Sequence, residues 1–302
     1  MRLSTLAPAK INWTLEVLGR RPDGYHEVRT VFQAVDLCDR VSVSPAADLE
    51  LILTAPVQQT GAPLPVLPPA ENLAYRAAAL LRDRTGGRAP GARIELEKAI
   101  PAGAGLGGGS SDAAATLRAL DRLWGLGLAA AELAHLGRQL GADVPFFVFG
   151  GTALGRGRGD EVTPLPDVPM TRLLLVVPRG RLEGKTAAMY AHLRAEHFAG
   201  GEASERLAAA IREGVPTGDD DVVNTFKAIA GEVLPEAAAA AERCRSLGLR
   251  PHLAGSGPAQ FVLLPPDADS APLREALARS GLDVFEATTM TASATTDVIK
   301  EL

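Results

Sequence analysis

The chain has 302 residues, 46% of them apolar, and a formal net charge of −5. That length suits one large domain or two ordinary ones, and the apolar share supports a packed core and excludes disorder. The acidic balance argues against a nucleic-acid partner, and the absence of an N-terminal apolar stretch or of any run near ~18 apolar residues argues for a cytoplasmic protein without a membrane partner.

Residues 10 to 17 alternate: Ile11, Trp13, Leu15 and Val17 share one face, and Lys10, Asn12, Thr14 and Glu16 the other. Period two predicts a strand with one buried face, which by itself gives Lys10 and Asn12 a solvated face. A turn over 19–24 (GRRPDG) precedes Tyr25 and His26, and strands are expected at 28–37, 40–44 and 49–53. Cys38 and Cys244 are too isolated for a disulfide framework or a zinc pattern, so both read as buried small hydrophobes. Residues 55–70 read as a loop, 72–84 as a helix and 92–98 as a strand.

The stretch 101–115, PAGAGLGGGSSDAAA, is glycine-rich and runs into an alanine-rich helix expected at about 110–124. Glycines leave backbone N–H groups unobstructed, and a helix start adds unpaired donors and partial positive charge. Together they make a phosphate cradle, with Ser110 and Ser111 able to cap the helix or reach a phosphate or its metal. Another helix is expected at 129–140. Asp143 then stands where it can cap a short turn containing Pro145. Glycines and prolines at 155–169 suggest a boundary between a first domain, 1–160, and a second, 161–302. The second half offers strands at 171–178 and 283–291, helices at 184–196, 204–213, 221–231, 234–247 and 271–280, and a strand–glycine loop–strand at 251–264.

Gly103, Gly105 and Gly108 satisfy G-x-G-x-x-G, but a second helix rather than a strand follows, which excludes a dinucleotide fold. No lysine lies between 99 and 184, so a Walker A loop is excluded, and the strand lysine and His-Arg-Asp of protein kinases are missing. What remains, Pro-x-x-x-Gly-Leu-Gly-Gly-Gly-Ser-Ser, resembles the second motif of the GHMP small-molecule kinases. Pro8-Ala9-Lys10-Ile11-Asn12 with Arg21-Pro22-Asp23-Gly24-Tyr25-His26 resembles the N-terminal signature of the branch acting on a cytidyl-linked sugar alcohol. Gly141-Ala142-Asp143-Val144-Pro145-Phe146-Phe147 is similar to the segment carrying the catalytic aspartate, and Gly255-Ser256-Gly257 to the third family motif. One segment departs: Val222-Val223-Asn224-Thr225-Phe226 keeps only Asn224 and Phe226 of the family pattern.

The resemblance implies an α+β protein of two domains, the first like ribosomal protein S5 domain 2 and the second ferredoxin-like. It implies ATP-dependent phosphorylation of the 2-hydroxyl of 4-diphosphocytidyl-2-C-methyl-D-erythritol, with Mg2+ bridging the phosphates. Asp143 would be the base and Lys10 its partner. Pro101, Ala102, Gly103, Ala104, Gly105, Leu106, Gly107, Gly108, Gly109, Ser110 and Ser111 would hold the nucleotide phosphates, and Asn72 the adenine. Tyr25 and His26 would contact cytosine, Phe32 and Tyr190 would line the substrate site, and Asn12 would lie near the sugar alcohol. A homoserine- or mevalonate-type kinase and a non-catalytic nucleotide-binding protein remain the alternatives; the oligomeric state is open.

Overall fold

A computed structural model describes residues 1–54, 68–180 and 184–301; most of the loop expected at 55–70 lies outside them. The first half runs β1 (Arg2–Arg20), β2 (His26–Ala46), β3 (Glu50–Thr54), α1 (Leu73–Arg84), β4 (Gly91–Glu97), α2 (Gly108–Trp124), α3 (Ala130–Gly137), α4 (Val144–Phe149), β5 (Thr152–Arg156) and β6 (Glu161–Leu165). The second runs β7 (Arg172–Pro178), α5 (Lys185–Ala191), α6 (Glu202–Arg212), β8 (Val223–Asn224), α7 (Ala230–Val233), α8 (Pro235–Ser246), β9 (His252–Leu253) and β10 (Gln260–Leu264). It closes with α9 (Ala271–Ala278), β11 (Leu282–Thr288), α10 (Ala292–Thr296) and β12 (Val298–Glu301). No described helix is long and apolar enough to cross a membrane.

β1 and β2 form one long antiparallel ribbon whose register shifts at Pro8/Ala9, Asn12/Thr14 and Val17/Gly19. Such irregularities bend a ribbon, and Pro8 has no N–H to give to a ladder. The bend lets one strand serve two partners: Thr30–Gln33 of β2 pairs with β5, and Arg40–Ala46 pairs with β4. The two strands expected at 28–37 and 40–44 are therefore one. The full sheet runs β12-β1-β2-β4-β3, with β5 and β6 branching from β2 and β8 from β1. Helices α1 to α4 bury Leu81, Leu117 and Phe146 in one core with Ile94 and Leu96 of β4.

The second sheet is antiparallel throughout, in the order β11-β7-β10-β9. The unbroken apolar run of β7 is buried on both faces. Leu174 and Val176 pack with Cys244 and Leu277, whereas Leu173, Leu175 and Val177 join a core with Ile11, Trp13 and Val35. Trp13 meets Phe261 edge-on at 6.4 Å between ring centres. β1 thus lies between the two halves, and its polar face is not solvated as its alternation suggested: Lys10, Asn12, Thr14 and Glu16 are all buried.

The chain leaves β6 at Leu165 and enters the second sheet at Arg172. Two further expectations are corrected. The helix expected at 221–231 is replaced by β8, a 3-10 turn (Thr225–Ala228) and α7. There Asn224 Oδ1 accepts from Phe226 N at 3.0 Å as a local cap, while its Nδ2 donates to the Leu253 and Gly255 carbonyls, each at 2.9 Å, and these tertiary bonds override local helical preference. Cys38 is only half-buried, while Cys244 is buried; burial pushes their thiols up to about 12 and about 11.

Candidate active site

A cleft of about 550 Å³ opens where β1, β2, the glycine-rich loop, the start of α4 and α5 meet. Small-molecule sites span about 300–1,000 Å³. Among the residues singled out in the sequence, Lys10, Asn12, Phe32, Asn72, every residue from 101 to 110, Asp143 and Tyr190 line it. Gly255 and Ser256 of the later glycine loop do as well. Ser111, Tyr25 and His26 lie outside its lining.

The glycine loop is held from both halves of the chain. Lys10 N donates to the Leu106 carbonyl at 2.9 Å, and Ala259 N donates to the Ala104 carbonyl at 3.1 Å. Gly105 has φ +89°, and a β-carbon there would stand 2.5 Å from the Ala254 oxygen and 2.7 Å from the Gly257 oxygen. No side chain caps α2, so of the two roles open to Ser110 and Ser111 the cap is not taken. Its ladder begins with Ser111 N to the Gly107 carbonyl at 3.0 Å. The N–H groups of Gly108, Gly109 and Ser110 precede that first bond, on the cleft wall, where an anion finds them. Ser110 faces the cleft, whereas the Ser111 hydroxyl is buried without a hydrogen-bond partner among the described residues.

Lys10 is buried, and its Nζ donates to Asn12 Oδ1 at 2.8 Å; Asn12 Nδ2 in turn donates to Thr30 Oγ1 at 2.8 Å, and Thr30 to the Thr14 carbonyl at 2.6 Å. This chain locks the ammonium in one orientation. Burial holds the Lys10 pKa below the usual lysine value, against the raising effect of the Asp143 charge. The two side chains share the cleft without direct ion-pair contact among the described residues. Asp143 stands just before α4, but its side chain makes no capping bond, so the carboxylate is not spent on the helix as the sequence suggested.

The remaining wall is aromatic. Phe32 stacks on Phe146 at 4.8 Å, and Tyr190 meets Phe226 edge-on at 4.9 Å. His26 stacks on Tyr190 at 4.8 Å and 28°. Burial, aided by Arg20, lowers the His26 pKa and favours the neutral imidazole. Tyr25 is 57% exposed, with the Arg158 guanidinium 5.0 Å from its ring. Asn72 sits ahead of α1, where its Oδ1 accepts from Ala74 N at 2.9 Å.

Sequence reasoning missed several cleft residues. Lys98 Nζ donates to Asp39 and, at 2.6 Å, to Asp112; Asp39 Oδ1 also accepts from Ala99 N and Ile100 N. Burial pushes Asp112 up to about 8, with Lys98 opposing and Asp39 adding to the rise. This network props the entry to the glycine loop, yet Lys98 and Asp39 are 59 residues apart and carry no local signal. Lys185, Thr186 and Arg158 also reach the cleft from segments without a recognisable motif. Among the described residues no cluster of three or more His, Cys, Asp or Glu forms a metal site.

Residues 72–151 match the model of the GHMP kinases N terminal domain. The 4-diphosphocytidyl-2-C-methyl-D-erythritol kinase of Moorella thermoacetica is 45% identical over 86% of this chain and 89% of its own length. The enzyme of that name from Dehalococcoides mccartyi is 41% identical over 87% of this chain and 89% of its own. A crystal structure of 4-(cytidine 5'-diphospho)-2C-methyl-D-erythritol kinase superposes with a TM-score of 0.75 at 38% identity, covering 95% of this chain and 98% of that one. With that coverage, and with Lys10, Asp143 and the glycine-rich loop gathered in one cleft, the chain belongs to the GHMP kinases, in their 4-diphosphocytidyl-2-C-methyl-D-erythritol kinase family.

Proposed function

We propose that this cleft transfers the terminal phosphoryl group of ATP to the 2-hydroxyl of 4-diphosphocytidyl-2-C-methyl-D-erythritol, giving the 2-phosphate and ADP on the non-mevalonate route to isoprenoid precursors. The observation that carries the reading is the meeting of Lys10, Asp143 and the glycine loop in one cleft. Relatives 41% and 45% identical bear that activity in their names.

Phosphoryl transfer asks a protein mainly to position reactants and neutralise charge. The loop 101–111 holds the nucleotide phosphates, the backbone N–H groups of Gly108, Gly109 and Ser110 donating to them and Ser110 being the serine that faces them. Asn72 contacts the adenine. The acceptor oxygen forms a bond to the terminal phosphorus as the bond to the bridging oxygen breaks, and ADP leaves with that electron pair. Asp143 orients the hydroxyl and takes its proton; a loose transition state needs little early deprotonation. Lys10, fixed by Asn12, steadies charge on the group in flight. The Tyr190–His26 stack, with Tyr25 at its rim, supports a slot for the cytosine, and Phe32 flanks the sugar alcohol beside Asn12.

A magnesium ion fits this donor set, since it takes most of its six ligands from phosphate oxygens and water; Ser110 is the side chain that would hold it. When bound, it neutralises phosphate charge. The finer fold assignment belongs to the same reading. The order β11-β7-β10-β9 is that of a ferredoxin-like βαββαβ unit, and supports such a domain over about 161–302 beside an S5-domain-2-like one over 1–160. A cytoplasmic location goes with that metabolic role.

ADP release measured with ATP and each of three acceptors tests the reading. Turnover is expected with the cytidyl compound and not with homoserine or mevalonate. Phosphorylation of either of those without the cytidyl compound would replace it with another GHMP activity. ATP binding without ADP release on any acceptor would leave a non-catalytic binder.

A further inference from the structure

α5 carries into the cleft a cation that none of these steps uses. Lys185, its first residue, is 7% exposed and lines the same cleft as Lys10 and Asp143, and its Nζ has no hydrogen-bond partner among the described residues. A buried ammonium without a hydrogen-bond partner is unfavourable, so a cation kept in this way suits an anion that arrives later. The anions within reach of its charge do not meet that need: Glu236 of α8 acts on it only through space, and Asp143, ahead of α4, acts on Lys10. Lys10 of β1 repels it, and Arg158, beyond β5, lines the same cleft with its charge paired to Asp160 at 2.8 Å. The start of α5 is also tied to the active site, because the Thr186 hydroxyl meets the Ser256 hydroxyl at 3.0 Å. Beside Ser256, a β-carbon on Gly255 would stand 2.7 Å from Lys10 Nζ. Two buried ammonium groups thus converge beside a loop of open N–H donors.

We propose that Lys185 is a phosphate-binding residue, donating from α5 to the phosphate oxygens of a reactant bound in this cleft. The inference rests on the kinase reading above. Its phosphate is either the polyphosphate of ATP or the diphosphate of the cytidyl substrate. Burial, reinforced by Lys10 and opposed by Glu236, pulls Lys185 down to about 7. The protonated, binding form of the free enzyme is therefore lost as pH rises through neutrality.

The test compares wild type with Lys185→Met and Lys185→Arg. It measures kcat, the KM of each reactant, and calorimetric binding of MgATP and of the cytidyl substrate separately. In Lys185→Met, the KM and Kd of one reactant should rise ten-fold or more, and the reactant affected names the source of the phosphate. Lys185→Arg should restore both to within about three-fold, and the decline of kcat/KM expected of wild type above pH 7 should move to higher pH, because a guanidinium stays charged. Ligand-free Lys185→Met should melt no lower than wild type, since an unpaired buried charge is removed. Constants within two-fold of wild type in Lys185→Met would overturn the proposal, as would a fall in kcat alone or a loss of thermal stability with native constants. If wild type fails to turn over the cytidyl compound, the function reading falls; the MgATP titration of Lys185→Met then still decides this inference for the nucleotide, and unchanged nucleotide affinity would end it.

Discussion

At the residue scale the proposed chemistry rests on two charges held in different ways. Lys10 is buried and fixed through Asn12 and Thr30, while Asp143 is left free of the helix it precedes. Because each is placed by other groups, substitution should spare the fold and remove the rate. Asp143→Asn and Lys10→Ala are each expected to lower kcat by about 10²–10⁴-fold, the usual contribution of a positioned acid–base or electrostatic group. Circular dichroism should show an unchanged fold and steady-state ADP release should show the loss; near wild-type turnover in either variant would dismiss the pair. The sequence carried both positions through their motifs. It did not carry Lys98, Asp39 and Asp112, whose meeting depends on the approach of β2, β4 and α2.

At the element scale the decisive unit is β1 with the glycine loop lying along it. The Lys10 N to Leu106 bond fixes the loop to the strand that bears Lys10. Position 105 admits only glycine for two reasons: φ is +89°, and two carbonyl oxygens stand within 2.7 Å of where a β-carbon would be. A left-handed conformation alone costs a non-glycine residue roughly 1–2 kcal/mol, and the clash adds to it. Gly105→Ala should therefore melt several degrees lower and raise the KM for ATP about ten-fold, equivalent to about 1.4 kcal/mol of lost binding. Differential scanning fluorimetry and ATP-dependent kinetics read the two effects; an unchanged KM would mean that the loop does not touch the nucleotide.

At the scale of the whole molecule the site exists because the second half of the chain packs onto β1. Asn224 is the smallest tie in that arrangement: its amide holds the Leu253 and Gly255 carbonyls, and the loop they belong to holds Ala104. Asn224→Ala leaves two backbone acceptors without their donor, at a cost of about 1–3 kcal/mol for a buried group. It should speed hydrogen exchange at Gly257 and Ala259 and lower kcat several-fold, although Asn224 lies outside the cleft lining. Exchange rates equal to wild type at those two amides would show that the loop is held by its other contacts.

The linear chain determined by itself what depends on neighbours in sequence. Alternation in β1, the apolar run of β7 and the glycine-to-helix transition at 101–124 reflect local geometry. The four motifs located the glycine-rich loop, Lys10 and Asp143, which the fold brings to one cleft. Tertiary structure alone decided which face of β1 is dry. Strand periodicity assigns a polar face but not its environment, and here packing of the second half buries both. It also decided that Asn224 ties two loops rather than continuing a helix, and that Lys185 turns into the cleft. Those outcomes depend on segments tens to hundreds of residues apart, whose approach is set by the cooperative packing of the two sheets and leaves no periodic signature in the chain.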